Sequence, residues 1–139
     1  MCIRDSYITY PALLNFPRPR LKAYPPESVI AEKVQTIVAL GMANSRMKDY
    51  YDLFVIFQQI PIQTEVLSRA VAATFERRKT AIPKQIPIGL SQEFAADQIK
   101  QNQWQQFLRR YDFKDPAGSL SAVISFLQEK LVPVWEGIR

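Results

Sequence analysis

At 139 residues the chain is about one domain long, and 47% hydrophobic against 22% charged residues gives it enough apolar side chain for a core and makes wholesale disorder a poor expectation. It has no histidine and a single cysteine, Cys2, which excludes histidine acid–base catalysis, histidine-ligated zinc and an internal disulfide framework, and which fits a reducing cytoplasm. The formal charge of +5 is compatible with a polyanionic partner without requiring one, and no apolar run reaches the roughly 18 residues that a membrane span needs.

The chain opens on Met1-Cys2-Ile3-Arg4-Asp5-Ser6, which resembles a translated sequencing adapter. Residues 1–6 are therefore expected to be a non-native scar on a gene truncated upstream, and they take no part in the fold reading. Tyr7 to Tyr10 is β-prone, and the segment up to Tyr24 carries Pro11, Pro17 and Pro19 among Arg18, Arg20 and Lys22. Residues 7–24 thus read as remnant strands of a sheet whose partners lie elsewhere.

From Tyr24 onward the signals are helical. Pro25-Pro26-Glu27 suits a first turn, and the helix it opens should stop near Gly41 to Ser45. A second helix is expected over about 46–58, ending before Pro61. A third over about 64–78 places Leu67, Val71 and Phe75 on one face. Pro83, Pro87 and Gly89 mark 80–90 as a loop. Ser91 with Phe94 suggests a short helical turn. A fourth main helix over about 97–111 aligns Trp104, Phe107, Leu108 and Tyr111. Ser119 can cap a last helix presenting Leu120, Val123, Ile124, Leu127 and Leu131, with a kink expected at Pro133. The expected fold is mainly α: a bundle of about five helices over 25–139 with a short β remnant at the N-terminus, α+β in a full-length protein.

Two places carry candidate chemistry. On the first helix, Ile30, Lys33, Val34, Ile37 and Val38 share a stripe, so Lys33 lies on the face that should meet the core. It must pair, enter a polar cavity, or snorkel from the bundle's edge. On the second helix, Asp49 and Asp52 are three residues apart and flank an apolar face of Tyr50, Leu53, Phe54 and Phe57, with Arg46 between Asp49 and that stripe. Two carboxylates with a cation suit a metal, a phosphate relay or proton transfer, and equally a salt-bridge cluster fastening two helices. Spacing leaves both readings open. Arg77, Arg78 and Lys79, at the end of the third helix, either complement its dipole or contact an RNA backbone together with Arg109 and Arg110. Trp104 and Trp135 fall within apolar faces and read as core.

The stretch Tyr24-Pro-Pro-Glu-Ser-Val-Ile-Ala-Glu-Lys33, followed by Leu40-Gly-Met-Ala-Asn-Ser-Arg-Met-Lys-Asp-Tyr-Tyr-Asp-Leu53, resembles the second half of the AbiEii/AbiGii nucleotidyltransferase toxins: a helix with Glu-Lys, then a helix with basic-Asp-aromatic-x-Asp-Leu. Weaker similarity runs through Ala73 to Arg78 and Phe94 to Arg110. The resemblance implies an enzyme of toxin–antitoxin and phage-defence systems that uses Mg²⁺ to transfer a nucleotide from an NTP to an acceptor, tRNA 3′ ends or another RNA, and that pairs with a cognate antitoxin. It implies Lys33 as the phosphate-contacting lysine, Asp49 as a catalytic base or orienting group, and Glu32, Arg46 and Asp52 as supporting neighbours. The family's first motif, a Gly-Gly or Gly-Ser turn followed by an Asp-x-Asp pair, departs from what stands here. No Asp-x-Asp occurs, and Gly118-Ser119 opens the last helix. No metal ligands are therefore expected in this fragment, and the polypeptide alone is expected to be inactive. A non-catalytic helical module that binds an antitoxin or another protein is the alternative.

Overall fold

The computed structural model describes residues 25–111 and 118–138. The expected scar at 1–6 and the strand remnants at 7–24, with Arg18, Arg20 and Lys22, lie outside the described residues, as does the side chain of Tyr111.

Among the described residues the chain is mainly α, with six helices and no strand: α1 Pro26–Leu40, α2 Met47–Gln59, α3 Thr64–Arg77, α4 Gln92–Ala96, α5 Gln98–Tyr111 and α6 Leu120–Ile138. Short 3₁₀ turns follow α1 at Gly41–Ala43 and precede α4 at Ile88–Leu90. No described helix is long and apolar enough to cross a membrane.

The helix ends follow from local chemistry. Pro26 occupies the first turn of α1, where a missing N–H costs nothing, and Glu27 meets the positive dipole end. Gly41 closes α1 with φ of 55°, a conformation that glycine adopts without a Cβ clash. The Ser91 hydroxyl accepts from the Phe94 amide at 3.2 Å to cap α4, and the Ser119 hydroxyl accepts from the Ala122 amide at 3.1 Å to cap α6. The Gly118 carbonyl meanwhile accepts the Trp104 indole N–H at 2.8 Å. Gly118-Ser119 therefore has a structural occupation. The last helix continues past Pro133 to Ile138.

Helix α1 packs on α3, and α6 runs beneath α2, α3 and α4. Val34, Leu53, Val71, Phe94, Ile124 and Leu127 are among the fully buried side chains where these elements meet. Trp104 and Trp135 are both core residues, as are Tyr50 and Tyr51. Tyr50 stacks on Phe94 at 5.3 Å between ring centroids, and Phe75 meets Trp135 edge-on at 6.0 Å. The Tyr50 hydroxyl donates to the Gly89 carbonyl at 2.6 Å, which fastens the 80–90 segment to α2.

Candidate functional site

The buried stripe of α1 presents one charged side chain to α2. Lys33 is 5% exposed, and its ammonium lies 3.0 Å from Asp49 Oδ1 and 3.1 Å from Asp52 Oδ2. The two aspartates, one helical turn apart on α2, are 1% and 0% exposed. Lys33 is thus not a snorkelling stem at the bundle's edge. It sits between two carboxylates inside the fold.

Two more cations come from α2 and its cap. The Arg46 guanidinium, which is largely exposed, reaches Asp49 Oδ2 at 3.2 Å, and the Lys48 ammonium stands 4.0 Å from Asp52 Oδ2. The cluster therefore sets three positive groups against two negative ones in a poorly solvated place, where charge is tolerated only if paired. Burial raises the Asp52 carboxyl from 3.8 to about 6, against the opposing pull of Lys33 and Lys48. Burial likewise lowers the Lys48 ammonium from 10.5 to about 8, with Lys33 and Arg46 adding to the effect and Asp52 opposing it. Burial also pushes the Tyr50 hydroxyl upward, so it remains a neutral donor. Asp52 Oδ1 and the Lys48 ammonium are buried without a hydrogen bond among the described residues.

Magnesium does not fit this arrangement. Among the described residues no group of three or more His, Cys, Asp or Glu side chains converges. The space between the two carboxylates, where a divalent ion would bridge them, is held by the Lys33 ammonium.

Glu32 lies next to Lys33 in sequence but belongs to another place. Its carboxylate pairs with Arg77, and with Arg78 at 2.8 Å, at the end of α3. The proposed nucleic-acid contacts Arg77 and Arg78 are thus exposed yet engaged, while Lys79 is exposed at φ of 55°. The structure brings together Lys33, Asp49, Asp52 and Arg46, and leaves Glu32, Arg77, Arg78 and Lys79 as a second, surface group.

Sequence reasoning passed over four residues. Lys48 belongs to the cluster. Asn44 is fully buried, and its side-chain oxygen accepts from the Arg46 amide at 2.9 Å, which shapes the entry to α2. Its backbone carbonyl accepts from the buried Lys100 ammonium at 2.8 Å. Gln103 on α5 faces Arg46 and Lys48 across a cavity of about 310 Å³. The basic-Asp-x-x-Asp pattern could have flagged Lys48, one helical turn before Asp52. Asn44 makes a local turn with Arg46 that an asparagine ahead of a helix could have suggested, whereas Lys100 and Gln103 carry no signal of their own, because what they face comes from distant segments.

No curated protein and no solved structure matches the chain. The family model described as "Nucleotidyl transferase AbiEii toxin, Type IV TA system" matches residues 3–131. With nearly the whole chain covered, including the helix pair that carries Lys33 and Asp49, the chain belongs to the AbiEii nucleotidyl transferase toxin family of type IV toxin–antitoxin systems.

Proposed function

We propose that this chain supplies the helical wall of a nucleotidyltransferase active centre, where an RNA 3′ hydroxyl, that of tRNA foremost, attacks the α-phosphorus of an NTP and pyrophosphate leaves. The supporting observation is the buried ionic cluster: an ammonium from α1 held against two carboxylates from α2. Transfer of this kind needs positive charge on the departing phosphates and a carboxylate near the attacking hydroxyl. Lys33 is assigned the first task and Asp49 the second, as base or orienting group. Asp52 positions the Lys33 ammonium, and Arg46 positions the outer oxygen of Asp49. A triphosphate reaching Lys33 competes with Asp52 for it. Asp52, raised to about 6, is still largely ionised at pH 7, so the triphosphate must displace a buried charged partner. The acceptor chemistry, a cytoplasmic site of action, a role in phage defence and a cognate antitoxin follow from the family reading.

The chain of 139 residues contains no Asp-x-Asp pair, and the described carboxylates form no metal site. Transfer by this polypeptide alone is therefore not expected. The same geometry suits a second reading, a purely structural ion-pair clamp in a module that binds an antitoxin, because Lys33 is engaged by both aspartates.

One assay separates the two. Total tRNA is incubated with α-labelled NTPs and either this chain or this chain fused to the Asp-x-Asp-bearing half of another member of the family. We expect no label with the chain, label at RNA 3′ ends with the fusion, and a loss of roughly 10²–10⁴-fold in that fusion on Asp49→Asn, at unchanged helical content. Full transfer by a folded Asp49→Asn protein would establish the clamp instead.

A further inference from the structure

Lys100 on α5 takes no part in the ionic cluster, yet it is buried. Among the described residues no carboxylate lies within ion-pair distance of its ammonium. A buried cation without an acid is costly unless other groups take up its donors. Two groups do so. The Asn44 backbone carbonyl accepts from it at 2.8 Å, and the centre of the Phe94 ring stands 5.2 Å away.

The carbonyl that Lys100 holds belongs to the turn between α1 and α2. Among the described residues no backbone amide takes it: the Met47 and Asp49 amides donate to Ser45 and Arg46 instead. A buried carbonyl needs a donor, and here only α5 supplies one. The side-chain oxygen of the same asparagine accepts from the Arg46 amide at 2.9 Å. Arg46 stands just before α2 with φ −86° and ψ 76°, outside the helical range, and its guanidinium turns back to Asp49 Oδ2 at 3.2 Å. That side chain is 59% exposed, and exposed ion pairs hold weakly by themselves. What keeps it over Asp49 is therefore the placement of its backbone. The bonds through Asn44 tie that backbone to α5.

We propose that Lys100 is a positioning residue: by holding the Asn44 carbonyl it sets the turn from which Arg46 reaches Asp49. The catalytic consequence rests on the transferase reading given above. The positioning itself does not, since it is a property of the folded chain.

The test is NMR spectroscopy on the full, isotope-labelled chain. In the unaltered chain the Lys100 ammonium should exchange with water at least about tenfold more slowly than that of Lys130, an exposed lysine that also stands over a ring but has no hydrogen bond among the described residues. Equal exchange rates would overturn the proposal whether or not any variant folds. Lys100→Met keeps the apolar stem and removes the ammonium. It should speed exchange of the Arg46 Nε proton about tenfold, with the Leu127 methyl signals in place. Lys130→Met should change that rate less than about twofold. Asn44→Ala, which loses the side-chain oxygen but keeps the carbonyl, should release Arg46 as far as Lys100→Met does, and the double variant should add less than about twofold. An Arg46 signal unmoved by Lys100→Met overturns the proposal. In the fusion, Lys100→Met should lower kcat about tenfold and leave KM for the NTP within about twofold, because Lys33 stays in place while Asp49 loses its orientation. A rise in KM at unchanged kcat would overturn that consequence. Full transfer by an Asp49→Asn fusion would end the transferase reading, and the Arg46 signal would still decide the positioning.

Discussion

Lys48 and Asp52 sit one turn apart on α2, and burial displaces their ionisation in opposite senses. Asp52 ionises near 3.8 in the unfolded chain and near 6 in the folded one. Between those values the folded chain binds more protons, so this group makes stability fall as pH rises. Lys48 holds its proton up to about 10.5 when unfolded but releases it from about 8 when folded. In that upper window the unfolded chain binds more protons, and the same group makes stability climb with pH. The cost of keeping both groups charged is therefore greatest between about pH 6 and 8. Urea denaturation across pH should show Lys48→Met removing a rise of up to about 1.4 kcal/mol per pH unit above pH 8, and Asp52→Asn removing a fall of similar slope between 4 and 6. Unchanged slopes in both variants would show that neither group is desolvated as described. At this scale part of the site was legible. Helical spacing alone put Lys33 on a core-facing stripe and the two aspartates on one flank of α2. Spacing could not show that both aspartates are fully buried, or that the Lys48 ammonium turns inward with them, because depth is set by what packs over α2 from other helices.

The elements themselves were largely legible, since their punctuation is local. Pro25-Pro26, Gly41, Ser91 and Ser119 each impose or release a backbone geometry at their own position, and the helices begin or end there. The segment from 80 to 90 shows the opposite. Its prolines and glycine announce a loop, yet they say nothing of where it docks. It docks through Gly89, where an added Cβ would lie 2.8 Å from the Ile37 carbonyl oxygen and 2.9 Å from Ile37 Cγ2. The same residue's carbonyl receives the Tyr50 hydroxyl, 39 positions away in sequence. Gly89→Ala must push α1 and the loop apart, and it should cost about 2 kcal/mol in chemical denaturation, within the range for overpacked cores. A cost below about 0.5 kcal/mol would mean that the loop does not rest on α1 as described.

For the whole molecule, α6 is the element that makes one body of the bundle. It contacts α2, α3, α4 and the turn before α4, and Leu120, Val123, Ile124, Leu127, Leu131 and Val134 are buried along it. Truncating its centre, Leu127→Ala, should cost about 2–5 kcal/mol. Because the contacts spread over several helices, tryptophan fluorescence and far-ultraviolet circular dichroism should still report coincident transitions in that variant. Separate transitions would mean that α1–α3 form a unit that folds without α6. The mainly α architecture was legible from apolar periodicity. The partnership of α6 with so many elements was not, because a periodic stripe shows that a face is buried and not which neighbours bury it.

The consecutive residues Glu32 and Lys33 point to different neighbours, one to a pair of arginines and the other to a pair of aspartates. One position along an α-helix is a turn of roughly 100° about its axis. If α1 rolled by that amount in one direction, an acid would confront two acids, and in the other a base would confront two bases. Greasy side chains on the stripe could accommodate a modest roll by repacking, but these charges penalise it in either sense. The dipeptide thus acts as a key for the azimuth of α1, and it keeps the nitrogen of Lys33 aimed at α2.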